Sequence, residues 1–578
     1  MAQVFEDIKS SKVTLDDTQL LTCFIETAQK SGDHIEYVIR VQRGPLKDNS
    51  WQLTKRYSDF DNLVAQLKGY GMELPIPPKK VFGNFDREFV AVRQKGLQNL
   101  LHLIMSQHLL SESIIVKRFL DPKTYSANFL EMALQHVSML FRSEPNWDVV
   151  EPFPDCGWRL RKAHILIRPI AQPKVRQMLS WCDFGPDKTI PEKELSALMK
   201  FLPTIQHPFL HPILYATTNE TGGMVTRSFN ENGSLRDIIC KCKPKGHFMK
   251  KYSLSKAPSG LDVQCIKTYG KQILEALKYM QDKGFPYGHL HAGNVFVEKN
   301  VCRLTELENW LLGVPSYYRV YVTEFKKIQT TEQIDVYTFG HLLYEMVLGY
   351  QLNAPSCDSF PPSCPAQIRS VLESILTTEA CKNGLPTVGD LLQHALFSDV
   401  TFGLMDKPQF KVPSKLKECV RVARDSMELR LKEEQKLISK VKRLSKAKEF
   451  HMSEEEKKKR RKSRKKALEN GDPLEPTSPV SPMSPTTPTT PSTPMSPTSP
   501  LPASPESTTT TSTTASPAPP PPPAAPPISI PPPPPPSGAA PSSVAPVEGR
   551  GALLGSIAGF SKGALRKTTT VDKSGPKV

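Results

Sequence analysis

Residues 287–297 read "YGHLHAGNVFV", and after a three-residue polar turn residues 301–312 read "VCRLTELENWLL". Together they predict two short strands, with a small, histidine-bearing loop leading into the first. Upstream, residues 266–285, "IKTYGKQILEALKYMQDKGF", place Ile266, Tyr269, Ile273, Leu277 and Met280 on one face of a long amphipathic helix. Before that, "MVTRSFNENGSLRDII" (224–239) reads as a strand, a turn at Asn232-Gly233 and a helix start. Downstream, "IDVYTFGHLLYEMVLG" (334–349) opens another helix. Residues 140–400 are therefore expected to form one mixed region of helices and strands.

A chain of 578 residues has room for two or three folded domains. Of its 55 prolines, 28 fall between residues 473 and 546, a stretch too poor in apolar residues to bury a core. The net charge of +17 points to anionic partners: phospholipid, nucleic acid or an acidic protein surface. The opening "MAQVFEDIKSSK" lacks the apolar centre of a signal peptide, and no run approaches about 18 uninterrupted apolar residues, so membrane contact is expected to be peripheral. The 11 cysteines form no CxxC pair and no metal-ligand spacing; they read as reduced cytosolic thiols.

Residues 15–125 form a separate pattern. In "HIEYVIRVQ" (34–42) Ile35, Tyr37, Ile39 and Val41 alternate with polar residues, as a half-buried strand requires. "SWQLTKRY" follows as a third strand, and then Phe60, Leu63, Val64 and Leu67 fall at helical spacing with Ser58 as the expected N-cap. The loop "LPIPPKKVFGNF" (74–85) leads to a second helix carrying Leu97, Leu100, Leu101 and Ile104. Arg56 and Tyr57 sit where strand meets helix, Lys79 and Lys80 in the loop, and Arg93 on the later helix. An arginine fork suits a phosphate, and a tyrosine beside it can stack on a sugar-like ring. "RYSDFDNL", the PxPP loop and "FVAVRQKGLQNLL", in that order, resemble the phosphoinositide-binding PX domain. That resemblance implies Arg56 on the 3-phosphate, Tyr57 under the inositol ring, Lys79 or Lys80 on the 1-phosphate and Arg93 on the ring hydroxyls. It also implies phosphatidylinositol 3-phosphate as ligand, with the loop around Val81 and Phe82 dipping into the bilayer.

The succession from Met224 onward resembles the hinge, catalytic-loop helix and catalytic loop of the protein kinase fold. Aligned on Asn294, the family's second metal ligand, the HRD aspartate becomes His289 and the DFG position becomes Glu306-Leu307-Glu308. Asp335 matches the aspartate that anchors the catalytic-loop backbone. No glycine-rich loop stands between residues 140 and 185, Lys162 and Lys174 are the candidate site lysines, and Glu192 or Glu194 the candidate partner glutamate. The literal letters Asp183-Phe184-Gly185 lie 111 positions before Asn294, on the wrong side of it for metal binding. The expectation is a pseudokinase with no catalytic residue and no cofactor beyond residual ATP and magnesium binding; the alternative is a weakly active serine/threonine kinase brought to membranes.

Residues 414–470 carry charges of both signs at helical spacing, and residues 457–466 hold nine basic residues in ten, an expected anionic-membrane patch with a nuclear signal as the other reading. The linker 471–547 offers Ser-Pro and Thr-Pro dipeptides, and its polyproline rods at 519–523 and 531–536 suit SH3, WW or profilin-type grooves. Within residues 548–570, Leu553, Leu554 and Ile557 followed by Leu565, Arg566 and Lys567 resemble the WASP-homology-2 actin-binding motif, implying actin as partner. The fold class expected is thus multidomain α+β: a three-stranded PX fold, a two-lobed kinase-like fold and a proline-rich tail. The order of parts is similar to a family of kinase-like proteins named as Na,K-ATPase modulators, which implies the pump's subunits as partners. The expected location is cytoplasmic, peripheral at endosomal and plasma membranes, with no specific nucleic acid bound.

Overall fold

A computed structural model describes residues 15–469 apart from residues 72, 80–84, 155, 254–258, 404–407 and 409–410. The described residues lie in the first of two compact units, Met1–Glu475.

Strands β1 (Leu21–Ser31), β2 (His34–Arg43) and β3 (Ser50–Arg56) form an antiparallel meander. Tyr37, Ile39 and Val41 alternate inward and are fully buried, as the period of two predicts. Helix α1 (Tyr57–Lys68) covers that face with Phe60, Leu63 and Leu67, and α2 (Arg87–Ser106) with Leu97, Leu100, Leu101 and Ile104. Each such side chain contributes about 1.5–3 kcal/mol by leaving water. The expected N-cap at Ser58 is corrected. β3 runs straight into α1 at Tyr57, so the last strand residue does the capping, and the Asp59 carboxylate accepts the Arg56 N–H at 2.9 Å. Short helices α3 (His108–Ser111) and α4 (Ile114–Leu120) complete this module.

Helix α5 (Phe129–Ser143) opens on Asn128, whose side chain accepts the Glu131 N–H at 3.3 Å. It buries Ala133 and Val137 against Ile165, Ile167, Leu179, Trp181 and Met224 of a second sheet. That sheet runs β4 (Trp147–Phe153), β5 (Lys162–Pro169), β6 (Gln177–Asp183), β8 (Gly222–Ser228), β7 (Tyr215–Thr218), all antiparallel, with α6 (Glu192–Phe201) in the β6–β7 connection. The rest is mostly helical: α7 (Leu235–Ile239), α8 (Phe248–Tyr252), α9 (Val263–Asp282), the ribbon β9 (Val295–Glu298) and β10 (Val301–Leu304), α10 (Thr331–Leu348) and α11 (Ala366–Leu376). α9 buries Ile266, Tyr269, Ile273, Leu277 and Met280, and α10 is buried on nearly all sides, as a central helix must be.

Helix α12 (Ser414–Glu469) straps this lobe. Its Gln435 amide donates to the carbonyls of Val322, Phe325 and Ile328 at 3.3, 2.9 and 2.8 Å, and Arg430 pairs with Asp187 at 2.7 Å. The letters Asp183-Phe184-Gly185 end β6, where Gly185 donates its N–H to the Leu312 carbonyl at 2.8 Å. A Cβ on Gly185 would lie 2.1 Å from the Gly313 carbonyl oxygen. Gly185→Ala is therefore expected to destabilise the two-lobed module by about 1–3 kcal/mol, measured by chemical denaturation, because backbone rather than a movable side chain is in the way.

Candidate functional site

Two sites emerge, one in each module. In the first, Arg56 ends β3 with its side chain 60% exposed, its nearest carboxylate being Asp59 at 3.8 Å. Tyr57 donates its hydroxyl to the Pro77 carbonyl at 2.5 Å, which ties the proline loop to the start of α1. Arg93 lies under this pair, its guanidinium 4.4 Å from the Tyr57 ring centre and 4.3 Å from that of Phe89. One Arg93 nitrogen donates to the Pro78 carbonyl at 3.2 Å, and its Nε has no hydrogen-bond partner among the described residues. Lys79 pairs with Asp61 of α1 at 2.7 Å. Tyr57, Lys79 and Arg93 thus meet around one loop, and Arg56 precedes Tyr57 in the chain. Lys80, Val81 and Phe82 lie outside the described residues. Beside the loop, Phe85 and Val92 are exposed apolar groups.

The second site is the cleft between the five-stranded sheet and the helical lobe. Lys162, at the start of β5, is buried, and its amine meets the Glu306 carboxylate, Glu308 at 3.1 Å and the Asn309 side-chain oxygen at 2.9 Å. Arg227 of β8 pairs with the other oxygen of Glu308. Burial alone would raise the Glu308 carboxyl, but Arg227 and Lys162 outweigh it and hold the group down at about 2. Glu306 is likewise held low: burial opposes, and Lys162 prevails. It sits at φ +65°, a backbone state uncommon for a non-glycine residue. Both carboxylates are already committed to cations, so these donors do not fit a magnesium ion.

His289 is buried, and burial followed by the charges of Arg159 and Lys162 keeps its imidazole well below the ordinary histidine value. It is neutral at pH 7, with Arg159 3.4 Å from its Nδ1. Asn294 spends its amide N–H on the His289 carbonyl at 2.9 Å, and the Asp335 carboxylate accepts the Gly288 N–H at 2.8 Å. The remaining cavity, lined by Phe153, Trp158, Lys162, Phe229, Asn294 and Glu306, measures about 150 Å³. Trp158, in the β4–β5 loop, lines it and makes edge contacts to Tyr317 at 5.0 Å and His291 at 6.4 Å.

Of the two candidate lysines the cleft takes Lys162; Lys174 is exposed in the β5–β6 connection. The expected glutamate partner is corrected: neither Glu192 nor Glu194 pairs with Lys162, because the lysine sits on β5 with its amine directed at Glu306 and Glu308 instead. Trp158, Arg159 and Arg227 were missed. The strand at β8 was legible, but nothing local marks Arg227 as a cleft residue. The two modules touch: His108 of α3 packs on Tyr317 at 5.1 Å, the Tyr70 hydroxyl lies 3.3 Å from His247 Nε2, and Met249 of α8 is buried in the first module's core. Leu553, Leu554, Ile557, Leu565, Arg566 and Lys567 lie outside the described residues, as do the polyproline runs.

A PX domain model matches residues 45–123, and a WH2 motif model matches residues 547–575. A PX domain-containing protein kinase-like protein of Mus musculus is 55% identical over 438 residues, covering 76% of this chain and 75% of the relative. The chain belongs to the PX domain-containing protein kinase-like family. Beyond that family, the Slowpoke-binding protein of Drosophila melanogaster is 33% identical over 227 residues, 37% of this chain and 44% of the relative. A "probable inactive serine/threonine-protein kinase slob1" of Dictyostelium discoideum is 30% identical over 235 residues, 36% and 39% of the two chains. This member of the PX domain-containing protein kinase-like family thus has a relative named as a probable inactive kinase.

Proposed function

We propose that this protein is a phosphoinositide-binding, actin-linked scaffold whose kinase-like domain transfers no phosphate. One contrast carries the reading. In the first site Arg56 is exposed and Lys79, held by one exposed carboxylate, still faces solvent, whereas the cations of the cleft are buried in ion pairs with Glu306 and Glu308. An exposed arginine beside a tyrosine ring suits a monophosphate headgroup, and Phe85 and Val92 offer apolar surface to a bilayer interface. No helix among the described residues is long and apolar enough to cross a membrane.

In this reading residues 15–125 bind phosphatidylinositol 3-phosphate and residues 140–400 serve as a docking body. Residues 457–466 add electrostatic attraction to anionic lipid, and residues 548–570 bind actin through Leu553, Leu554, Ile557 and Leu565-Arg566-Lys567. The polyproline rods between them recruit SH3, WW or profilin-type partners. The match to a protein named for binding Slowpoke supports a protein-binding role, and the Na,K-ATPase subunits are the cargo expected from the resemblance. Action at endosomal and plasma membranes follows from that lipid and that cargo. Vesicle co-sedimentation tests the proposal: wild-type protein should pellet with 3-phosphoinositide vesicles and not with phosphatidylcholine alone, and equal binding to both would sink it.

A further inference from the structure

The two carboxylates on the first turns of α1 stand among the basic groups of the lipid site, and they differ in what they do. Asp59 has a structural task, since it accepts the Arg56 N–H at 2.9 Å and so caps the helix. Asp61 makes one polar contact among the described residues, its Oδ2 lying 2.7 Å from the Lys79 ammonium. Lys79 is otherwise open, its side chain 68% exposed, and Asp61 is itself 33% exposed at the same surface. A carboxylate contributes nothing to gripping a phosphate. Here it occupies the cation that a headgroup phosphate would take, and its charge faces the incoming anion.

Resting on the lipid-binding reading above, we propose that Asp61 is a specificity-determining residue. Its carboxylate holds Lys79 until a headgroup phosphate displaces it, which weakens binding overall and weakens it most for headgroups with more than one ring phosphate. The second part follows from Coulomb's law, because each added phosphate brings nearly two further negative charges toward the same carboxylate. An exposed ion pair stabilises the fold little, so selection for stability does not account for a negative charge in a positive site.

The test uses the full chain and vesicles of phosphatidylcholine containing either a 3-monophosphate or a bisphosphate inositide, read by co-sedimentation. Asp61→Asn, nearly isosteric and uncharged, should tighten binding to the monophosphate by about two- to fivefold, the equivalent of one exposed ion pair. The gain on the bisphosphate should be larger, and both gains should shrink as salt is raised. Asp61→Glu, which keeps the charge, should bind like the wild type. Unchanged affinity in Asp61→Asn, or an equal gain on both headgroups, would overturn the assignment. An Arg56→Ala arm separates the two levels. If it loses binding while Asp61→Asn changes nothing, the lipid site stands and the role of Asp61 falls. If the wild type ignores inositide vesicles altogether, both fall.

Discussion

Glu308→Ala should lower the thermal midpoint by on the order of 10 °C. The carboxylate joins two buried cations, Lys162 and Arg227, whose side chains are 2% and 6% exposed. Removing it leaves Arg227 with no carboxylate partner among the described residues and Lys162 with the Glu306 carboxylate and the Asn309 side-chain oxygen. Breaking a buried ionic set by deleting one member costs about 3–5 kcal/mol, chiefly because the orphaned charge stays buried. The pH dependence has a definite sign. Glu308 is held at about 2, below the ordinary glutamate value of 4.5, so its contribution is complete above the ordinary value and fades as pH falls toward about 2. Thermal melts from pH 7 down to pH 3 should show the wild type losing stability in that window. In Glu308→Gln that component of the slope should be missing, and an identical slope in the two proteins would refute the ionic account of the cleft.

Arg56→Ala should weaken binding to 3-phosphoinositide vesicles by about 10- to 100-fold, the equivalent of roughly 1.5–3 kcal/mol for a charge-assisted hydrogen-bond pair. Arg56 has no close internal partner, since Asp59 is 3.8 Å away and the side chain is 60% exposed. The substitution therefore removes a ligand contact without removing packing, and its melting curve should overlay that of the wild type. Tyr57→Ala should also lose binding, but with a stability loss, because Tyr57 anchors Pro77 and carries Arg93 against its ring. A split in which Arg56→Ala binds normally while Tyr57→Ala does not would mean that the loop is only a structural element.

Local patterns carried most of the fold. The alternation of Tyr37, Ile39 and Val41 and the stripe from Ile266 to Met280 each lie within one element, so periodicity alone reveals which face is buried. The positions of His289, Asn294 and Glu306 were legible through the resemblance to the kinase catalytic loop rather than through periodicity. Helix α5 was not, although Asn128 as cap and Ala133, Val137, Phe141 at four-residue spacing spell an amphipathic helix; the stretch falls between two stronger patterns. Contacts across long separations were out of reach. Lys162 meets Glu306 across 144 residues, and a single lysine in a strand says nothing about which loop it will face. Similarly, Gly185 looks like part of a metal motif by its letters, whereas its backbone contact with Leu312 and Gly313 belongs to chain packing alone.

Titration with Mg-ATP, followed by thermal shift and phosphotransfer, decides whether the proposed inactive cleft is chemically spent. A ligand that binds the folded state raises its melting point in proportion to the logarithm of its concentration. Lys162 and Arg227 are already neutralised by Glu306 and Glu308, and His289 is neutral with Arg159 facing its Nδ1. No Mg-ATP-dependent shift and no labelled product are expected; a magnesium-dependent shift with turnover that disappears in Asn294→Ala would show a working kinase instead.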